Sequence, residues 1–517
     1  MNRKWWTLVI VCAATFMLLL DVTIVVVALP DIQQSLSATF SALQWVTDAY
    51  ALALASLLLT SGSLADRFGR KRVFATGLVV FTLGSLLCGL ATGPAMLISA
   101  RALQGIGGAM LFATSLALLA ATYHGRDRGV AFGAWGAVTG ASTALGPILG
   151  GVLTTSIGWR AIFLVNLPIG LLALLATLSR IEESRAPHAR RIDRAGVFTF
   201  TLGLLALVYG FIQAGGRRWD DPVVLGSLGL AAALAIAFVL IELRVAEPMF
   251  DLSLLRTPTF LGGSIAAFAM NGSLFAMLLY LVLYLQEDQG LSALETGVRL
   301  LTLSGFTMVV ATVSGRLSGL LPVRWLIGPG LLLVGAGLLL MGGTDAAASW
   351  THLIPGLVIS GIGSGLVNPP LASTAVGVVP VHRSGMASGF NNTCRQVGIA
   401  VGIAVYGSLF TAGLQSSLGE NLAGRTGLPA NGQLAAAVHD GRAQSVLATL
   451  SDADRAAAGA AIHTAFAAAL DTLFMVSGAV AVLGGVAAIL LIRNRDFVAN
   501  ESGHGGAHSD RVAEPAA

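Results

Sequence analysis

The chain has 517 residues, of which 55% are hydrophobic and only 11% charged. Soluble domains carry about 25% charged residues, so there are too few charges here to coat a water-facing surface, and most of the surface must meet lipid. The net charge of +4 gives no reason to expect a nucleic-acid partner, and Cys12, Cys88 and Cys394 lie in apolar runs without a CxxC spacing, which points to neither a disulfide framework nor a metal site.

A spanning helix needs about 20 apolar residues. Fourteen segments qualify, at 5–29, 43–64, 73–92, 95–122, 129–155, 159–178, 195–215, 222–243, 258–285, 295–320, 324–343, 350–376, 385–413 and 465–492. Met1–Leu29 is too long for the apolar core of a signal peptide and has no small-residue cleavage site before Pro30, so it reads as the first spanning helix. The expected fold is therefore an all-α polytopic membrane protein. With the N-terminus inside, 21 of the 30 Lys and Arg residues fall on the inner side, among them Arg67, Arg70, Lys71, Arg72 and Arg190. Cytoplasmic loops carry such an excess, which places both termini on the cytoplasmic side.

Two connections are long. Ser179–Arg194 is polar and basic and follows six helices, so it reads as a linker between halves. Ala412–His463 reads as an outside loop whose Ala-rich Asp452–His463 part can form a short helix, and the polar tail 496–517 reads as disordered. An internal repeat appears at a shift of 256 residues: Gly105-Ile106-Gly107 falls on Gly361-Ile362-Gly363, and Gly129, Gly133, Gly146 and Gly151 fall on Gly385, Gly389, Gly402 and Gly407. A shift of 253 lays Gly62 and Leu64 on Gly315 and Leu317. The repeat pairs segments 2, 4 and 5 with 10, 12 and 13 and leaves segments 7 and 8 as an insert. The domain scheme is thus 6+2+6: a half at 1–180, a linker with two extra helices at 181–257, and a half at 258–495. Parallel six-helix repeats around a central path are a transporter architecture.

Charges inside the apolar runs single out candidate functional residues. Asp21 lies in LLLDVTIVVVALP, about 12 Å by helical rise from the outer end of its helix. A carboxylate in hydrocarbon must face a cavity, find a partner or carry a proton, which makes Asp21 a proton-coupling candidate, with Thr23 as a neighbour that could satisfy it structurally. Arg101, in RALQGIGGA, sits at a similar depth and needs an acid partner; Asp21 and Asp48 are the nearest by depth. Gln104 is one turn further in and is a candidate for the same path. In GASTALGPILGG, Gly146, Pro147, Gly150 and Gly151 form a helix-kink motif, because proline removes a backbone hydrogen bond and glycine lets a neighbouring helix approach. In GSLADRFGRKR, Gly62 and Gly69 permit tight turns and Asp66 can accept bonds from Arg70 or a helix end, so Gly62, Asp66, Gly69, Arg70 and Lys71 form a candidate cytoplasmic gate. Asn392, Arg395 and Gln396 share a helix face in GFNNTCRQVG, and with Asn271 and Asn368 they are the remaining candidates for the substrate path, an interhelix clamp being the competing role. Trp45, Tyr50 and Trp159 lie near helix ends, where aromatic residues form interfacial belts. The sequence shows no phosphate loop, metal-ligand cluster or nucleophile triad, so we expect no enzyme, no ATP-driven pump, no cofactor and no metal.

These motifs, with LDVTIVVVALP, WRAIFLVNLPIG and GMASGFNNTCRQVG, stand in the order seen in the fourteen-helix drug:proton antiporter family of the major facilitator superfamily, which the chain resembles over about residues 5–495. The resemblance implies the major facilitator fold, links the proline–glycine motif to export, and links Asp21 and Arg101 to proton coupling. Val26 stands where that family usually has Asn, a change that bears on substrate range. The expectation is a proton-coupled antiporter of a bacterial inner membrane that exports drugs or amphipathic compounds, cationic or antibiotic-like, by alternating access. Its partners would be a small-molecule substrate, protons and the lipid bilayer, and the working unit a monomer. A narrow-specificity metabolite transporter and a non-transporting membrane sensor are the alternatives.

Overall fold

The computed structural model describes residues 3–123, 125–185, 193–248, 250–318, 320–343, 349–379, 384–422, 434 and 446–497. Among them every regular element is helical. The helices are α1 (Arg3–Leu36), α2 (Phe40–Phe68), α3 (Arg70–Gly89), α4 (Pro94–Thr122), α5 (Gly125–Ser156), α6 (Asn166–Arg180), α7 (Arg194–Gly216), α8 (Pro222–Glu242), α9 (Pro258–Asp288), α10 (Ala293–Leu317), α11 (Arg324–Leu340), α12 (Ile354–Gly377), α13 (Ser384–Asn421) and α14 (Asp452–Leu491). Each coincides with one expected segment. Twelve spans are by themselves long and apolar enough to cross a membrane, and the described apolar stretches of α5 and of α11 are shorter.

Local chemistry sets the ends. The Thr39 side chain accepts from Ala42 N at the start of α2, and Ser292 and Glu295 form a reciprocal capping box on α10. Pro94 and Pro222 open α4 and α8, where a missing N–H does no harm. Gly69, at φ 113°, makes the sharp break between α2 and α3 that a side-chain-bearing residue rarely adopts. Two boundaries differ from expectation. α13 runs on to Asn421, and α14 begins at Asp452, so the Ala-rich segment is not a separate short helix but the first turns of the last span. Alanine is the best helix former and nothing in that stretch interrupts it. Residues 423–433 and 435–445 of that loop, residues 186–192 of the linker, Gly319 and the tail from 498 onward lie outside the described residues.

The two halves use one packing scheme twice. α1 packs on α5 and α9 on α13; α2 and α3 pack on α4, as α10 and α11 pack on α12; and α3 meets α6 as α11 meets α14. The glycines of the repeat make the same contacts. A Cβ at Gly105 would lie 2.5 Å from the Tyr50 carbonyl oxygen on α2, and one at Gly361 would lie 2.5 Å from the Leu303 carbonyl oxygen on α10. Gly107 presses on α3 at Phe81, and Gly363 on α11 at Gly330. Gly151 meets α10 across the halves, and Gly407 meets α2. Small residues let backbones approach where lipid offers no hydrophobic drive.

The halves meet along two seams, α5–α10 and α2–α13. At the end of the bundle opposite the N-terminus they are hydrogen-bonded. Gln44 Nε2 donates to Tyr280 Oη at 3.3 Å and to the Ile403 carbonyl at 3.1 Å, Gln286 Nε2 donates to the Val27 carbonyl at 2.8 Å, and Leu294 N donates to Thr155 Oγ1 at 3.3 Å. The inserted α7 lies against α2 and α13, where Leu204, Val208 and Ile212 pack with Ala51, Leu52, Ala400 and Ala404. If Gly105 and Gly361 do equivalent work, Gly105→Val and Gly361→Val should each destabilise the detergent-solubilised protein by about 1–3 kcal/mol. Thermal unfolding checks this, and an effect on one variant alone would break the equivalence.

Candidate functional site

Five helices converge on one buried polar cluster. Arg101 Nη1 of α4 lies 2.5 Å from Asp21 Oδ2 of α1, and the two side chains are 2% and 0% exposed. Gln104 Nε2 donates to Asp21 Oδ1 at 2.8 Å and to Ser85 Oγ of α3 at 2.8 Å, and its Oε1 accepts from Arg101 Nη1 at 2.7 Å. Asn166 Nδ2 of α6 reaches the same Asp21 oxygen at 3.0 Å. Arg101 Nε donates to the Val46 carbonyl of α2 at 3.1 Å, and its guanidinium lies 4.2 Å from the centre of the Tyr50 ring. The network gives the carboxylate three donors and the guanidinium two acceptors besides its counter-ion, which is what a buried ion pair needs to offset desolvation.

Several expectations change here. Of the two acids at the right depth, Asp21 is the partner of Arg101. Asp48 is fully buried, and neither of its oxygens has a hydrogen-bond partner among the described residues. A sealed carboxyl without a partner has nothing in its surroundings to replace the water it gave up. Thr23 does not satisfy Asp21; its hydroxyl bonds the Leu19 and Leu20 carbonyls. Gln104 is sealed inside the ion-pair network and does not line an open path. Tyr50 is not a belt residue: it lies ten residues into α2, buried, with its ring on Arg101. Trp159 is buried too, with Arg160 over one face and Phe163 at its edge, and Trp45 packs beside α7. Ser85 and Asn166 were not singled out by sequence. Asn166 does stand in the WRAIFLVNLPIG motif, but a lone Asn or Ser at a helix position carries no signal of its own.

Pro147 lies inside α5, Gly146 and Gly150 press on Thr23 and Ile24 of α1, and Gly151 presses on the start of α10. The candidate gate binds only its own half among the described residues. Arg70 pairs with Asp66 at 3.1 Å and reaches the Ala117 carbonyl of α4 at 3.4 Å. Lys71 Nζ donates to the Leu178 carbonyl of α6 at 2.8 Å, and Lys71 N to Glu183 Oε1 of the linker at 3.0 Å. Gly62 has open space around it.

In the other half, the candidate path residues divide. Asn271 is buried, donates to the Ala267 carbonyl and starts a wide turn of α9, whose Gly272 rests on Gly398 of α13. It therefore shapes the helix and does not face a path. Asn392 bonds back to the Ser388 carbonyl. Arg395 turns toward Asn391 and Asn368, not toward Asn392 and Gln396 as its helix spacing suggested. Arg395, Asn368, Asn392 and Gln396 are all partly exposed. Among the described residues no cluster of His, Cys, Asp or Glu could hold a metal.

Two helical halves repeated in parallel, with a hydrogen-bonded ion pair buried at membrane depth in one of them, define a polytopic secondary transporter. The chain belongs to the major facilitator superfamily, whose sequence model matches residues 11–403. It is 37% identical over 424 residues to the multidrug resistance protein Stp of Mycobacterium tuberculosis, covering 82% of this chain and 79% of that one. It is 34% identical over 499 residues to the tetracenomycin C resistance and export protein of Streptomyces glaucescens, covering 94% and 91%. Its fold is similar to that of a bacterial homologue of the human lysosomal transporter Spinster in an inward-facing, occupied conformation, with TM-score 0.62, 17% identity, and 96% and 99% of the two chains covered.

The two acids should respond in opposite ways to substitution. Asp21→Ala leaves a buried cation unpaired and should cost about 3–5 kcal/mol, whereas Asp48→Asn keeps the shape and breaks no hydrogen bond seen among the described residues and should change stability by less than about 1 kcal/mol. Thermal unfolding of both variants checks this, and equal losses would contradict the contrast between the two acids.

Proposed function

We propose that this protein exports antibiotic-like amphipathic compounds across a bacterial cytoplasmic membrane in exchange for protons, with both termini on the cytoplasmic side. The observation that carries this is the Asp21–Arg101 network: an acid and a base at membrane depth, sealed from water, on two helices of one half. Its likeness to resistance and export proteins supplies the direction of transport and the class of cargo.

The geometry supports a simple coupling. Charged Asp21 binds Arg101, Gln104 and Asn166 and so fastens α1 to α4 and α6. A proton on Asp21 removes the Coulomb attraction and one acceptor, and Arg101 is then held by the Val46 carbonyl, Gln104 and the Tyr50 ring. Val46 is two residues from Gln44, which bridges α2 to Tyr280 and Ile403 of the other half at the outer closure. Protonation at Asp21 thus acts, through Arg101 and the α2 backbone, on the contact that must open when the transporter faces outward. At the opposite end, Asp66 and Arg70 brace α2 and α4 and form a latch for the cytoplasmic mouth. Because the buried ion pair sits in one half, proton entry changes that half and the other half follows as a rigid body.

Asp21→Asn should abolish proton-driven export while the protein still inserts. A susceptibility panel in an efflux-deficient host and dye efflux from everted vesicles read this, and export equal to wild type would sink the coupling role. Efflux of a single metabolite and of no unrelated dye would instead favour a narrow-specificity transporter. Asp66→Asn should raise the labelling rate of a cysteine introduced at the cytoplasmic mouth, and an unchanged rate would count against the latch.

A further inference from the structure

We propose that Arg395 is the anchor for an acidic group on the transported compound, so that the protein binds amphipathic anions, carboxylates in particular. The inference rests on the export reading and names the chemistry of the cargo.

Arg395 lies on α13, a helix that meets the other half: Thr393, two residues earlier, donates to the Ala55 carbonyl of α2 at 3.3 Å. Ile403, which closes the outer contact, is eight residues further along, or about 12 Å by helical rise. Arg395 is therefore at membrane depth, below the outer closure, and two positions round the helix from Thr393 its side chain turns toward Asn368 of α12.

Its environment differs from that of the paired arginine. Nε donates to Asn391 Oδ1 at 3.4 Å and Nη1 to Asn368 Oδ1 at 3.2 Å. Both acceptors are neutral and both bonds are long. Among the described residues no carboxylate lies within ion-pair distance of it, and Nη2 has no acceptor. Arg101, by contrast, holds a carboxylate, an amide oxygen, a carbonyl and an aromatic face.

The two amides orient the cation without neutralising it. Asn368 Nδ2 donates to the Ser364 carbonyl at 3.1 Å and to Ser364 Oγ at 3.2 Å, which points its oxygen at Arg395. Asn391 Nδ2 donates to the Gly263 carbonyl of α9 at 3.5 Å. The guanidinium is thus held through Nε and Nη1, and among the described residues Nη2 is given no acceptor. Arg395, Asn368 and Gln396 are partly exposed, and a charged group at this depth faces a water-filled path rather than acyl chains. An open guanidinium edge matches a carboxylate with two parallel N–H···O bonds, a geometry that lysine or an amide does not offer.

The test is binding of three pyrene probes of similar shape to the purified full-length protein, read by fluorescence anisotropy: 1-pyrenebutyrate, its neutral primary amide, and the cation 1-pyrenebutylamine. Wild type should bind the acid about tenfold more tightly than the amide, with the amine weakest. Arg395→Gln should erase the preference, and Arg395→Lys should retain part of it. Asn368→Asp places a carboxylate beside the guanidinium and should erase the preference with the cation still present; it decides the matter if Arg395→Gln does not fold. Equal affinity of wild type for acid and amide, or an undiminished preference in Asn368→Asp, would overturn the proposal. Binding is read without transport, so an acid preference in a protein that exports no dye would sink the export reading alone. Active export without an acid preference would sink this one.

Discussion

A charge buried in a membrane protein constrains everything around it. Removing a carboxylate and a guanidinium from water costs several kcal/mol each, and mutual attraction offsets this only when the remaining donors and acceptors are also satisfied. The Asp21–Arg101 pair meets that condition by drawing on α2, α3 and α6 as well as its own two helices. Most of the N-terminal half is positioned by one requirement, that a carboxylate at 0% exposure keep its donors. Gly84 and Gly105 belong to the same requirement, since they bring α3 and α2 against α4 at the level of Gln104 and Tyr50.

The contrast between Asp21 and Asp48 shows how environment sets the role of a residue type. The two acids lie at similar depth, one with three donors of which Arg101 is its counter-ion, the other with no partner among the described residues. The first has its lost water replaced by neighbours, and the second does not. A similar contrast separates Arg101 from Arg395. Arg101 is answered by a carboxylate, whereas among the described residues the C-terminal half holds Arg395 by neutral amides alone.

Much of this was legible in the sequence, for identifiable reasons. The fourteen segments follow from apolar length, and the repeat follows from glycines whose spacing records helix contact. Asp21 and Arg101 stand out because charge is rare in such runs. Tyr50, Ser85 and Asn166 were misread or missed because neutral polar and aromatic residues are common in membrane helices, and their partners lie on other helices, at separations such as the 145 residues between Asn166 and Asp21. Helical spacing grouped Arg395 with Asn392 and Gln396, but a long side chain goes where an acceptor lies, and Asn368 is 27 residues away on α12. The extension of α14 back to Asp452 was hidden because the run is alanine-rich and mildly polar, helical by propensity but short of apolar character.

The inserted helices have a mechanical consequence. The two six-helix halves share one packing scheme, and a rocking motion between them would by itself treat both seams alike. α7 fills the groove beside α2 and α13, with side chains from all three in one apolar cluster, while among the described residues neither extra helix packs closely on α5 or α10. One edge of the hinge is therefore a three-body joint and the other a two-body joint, and the lipid-facing flank at one seam is covered by a helix that takes no part in the repeat.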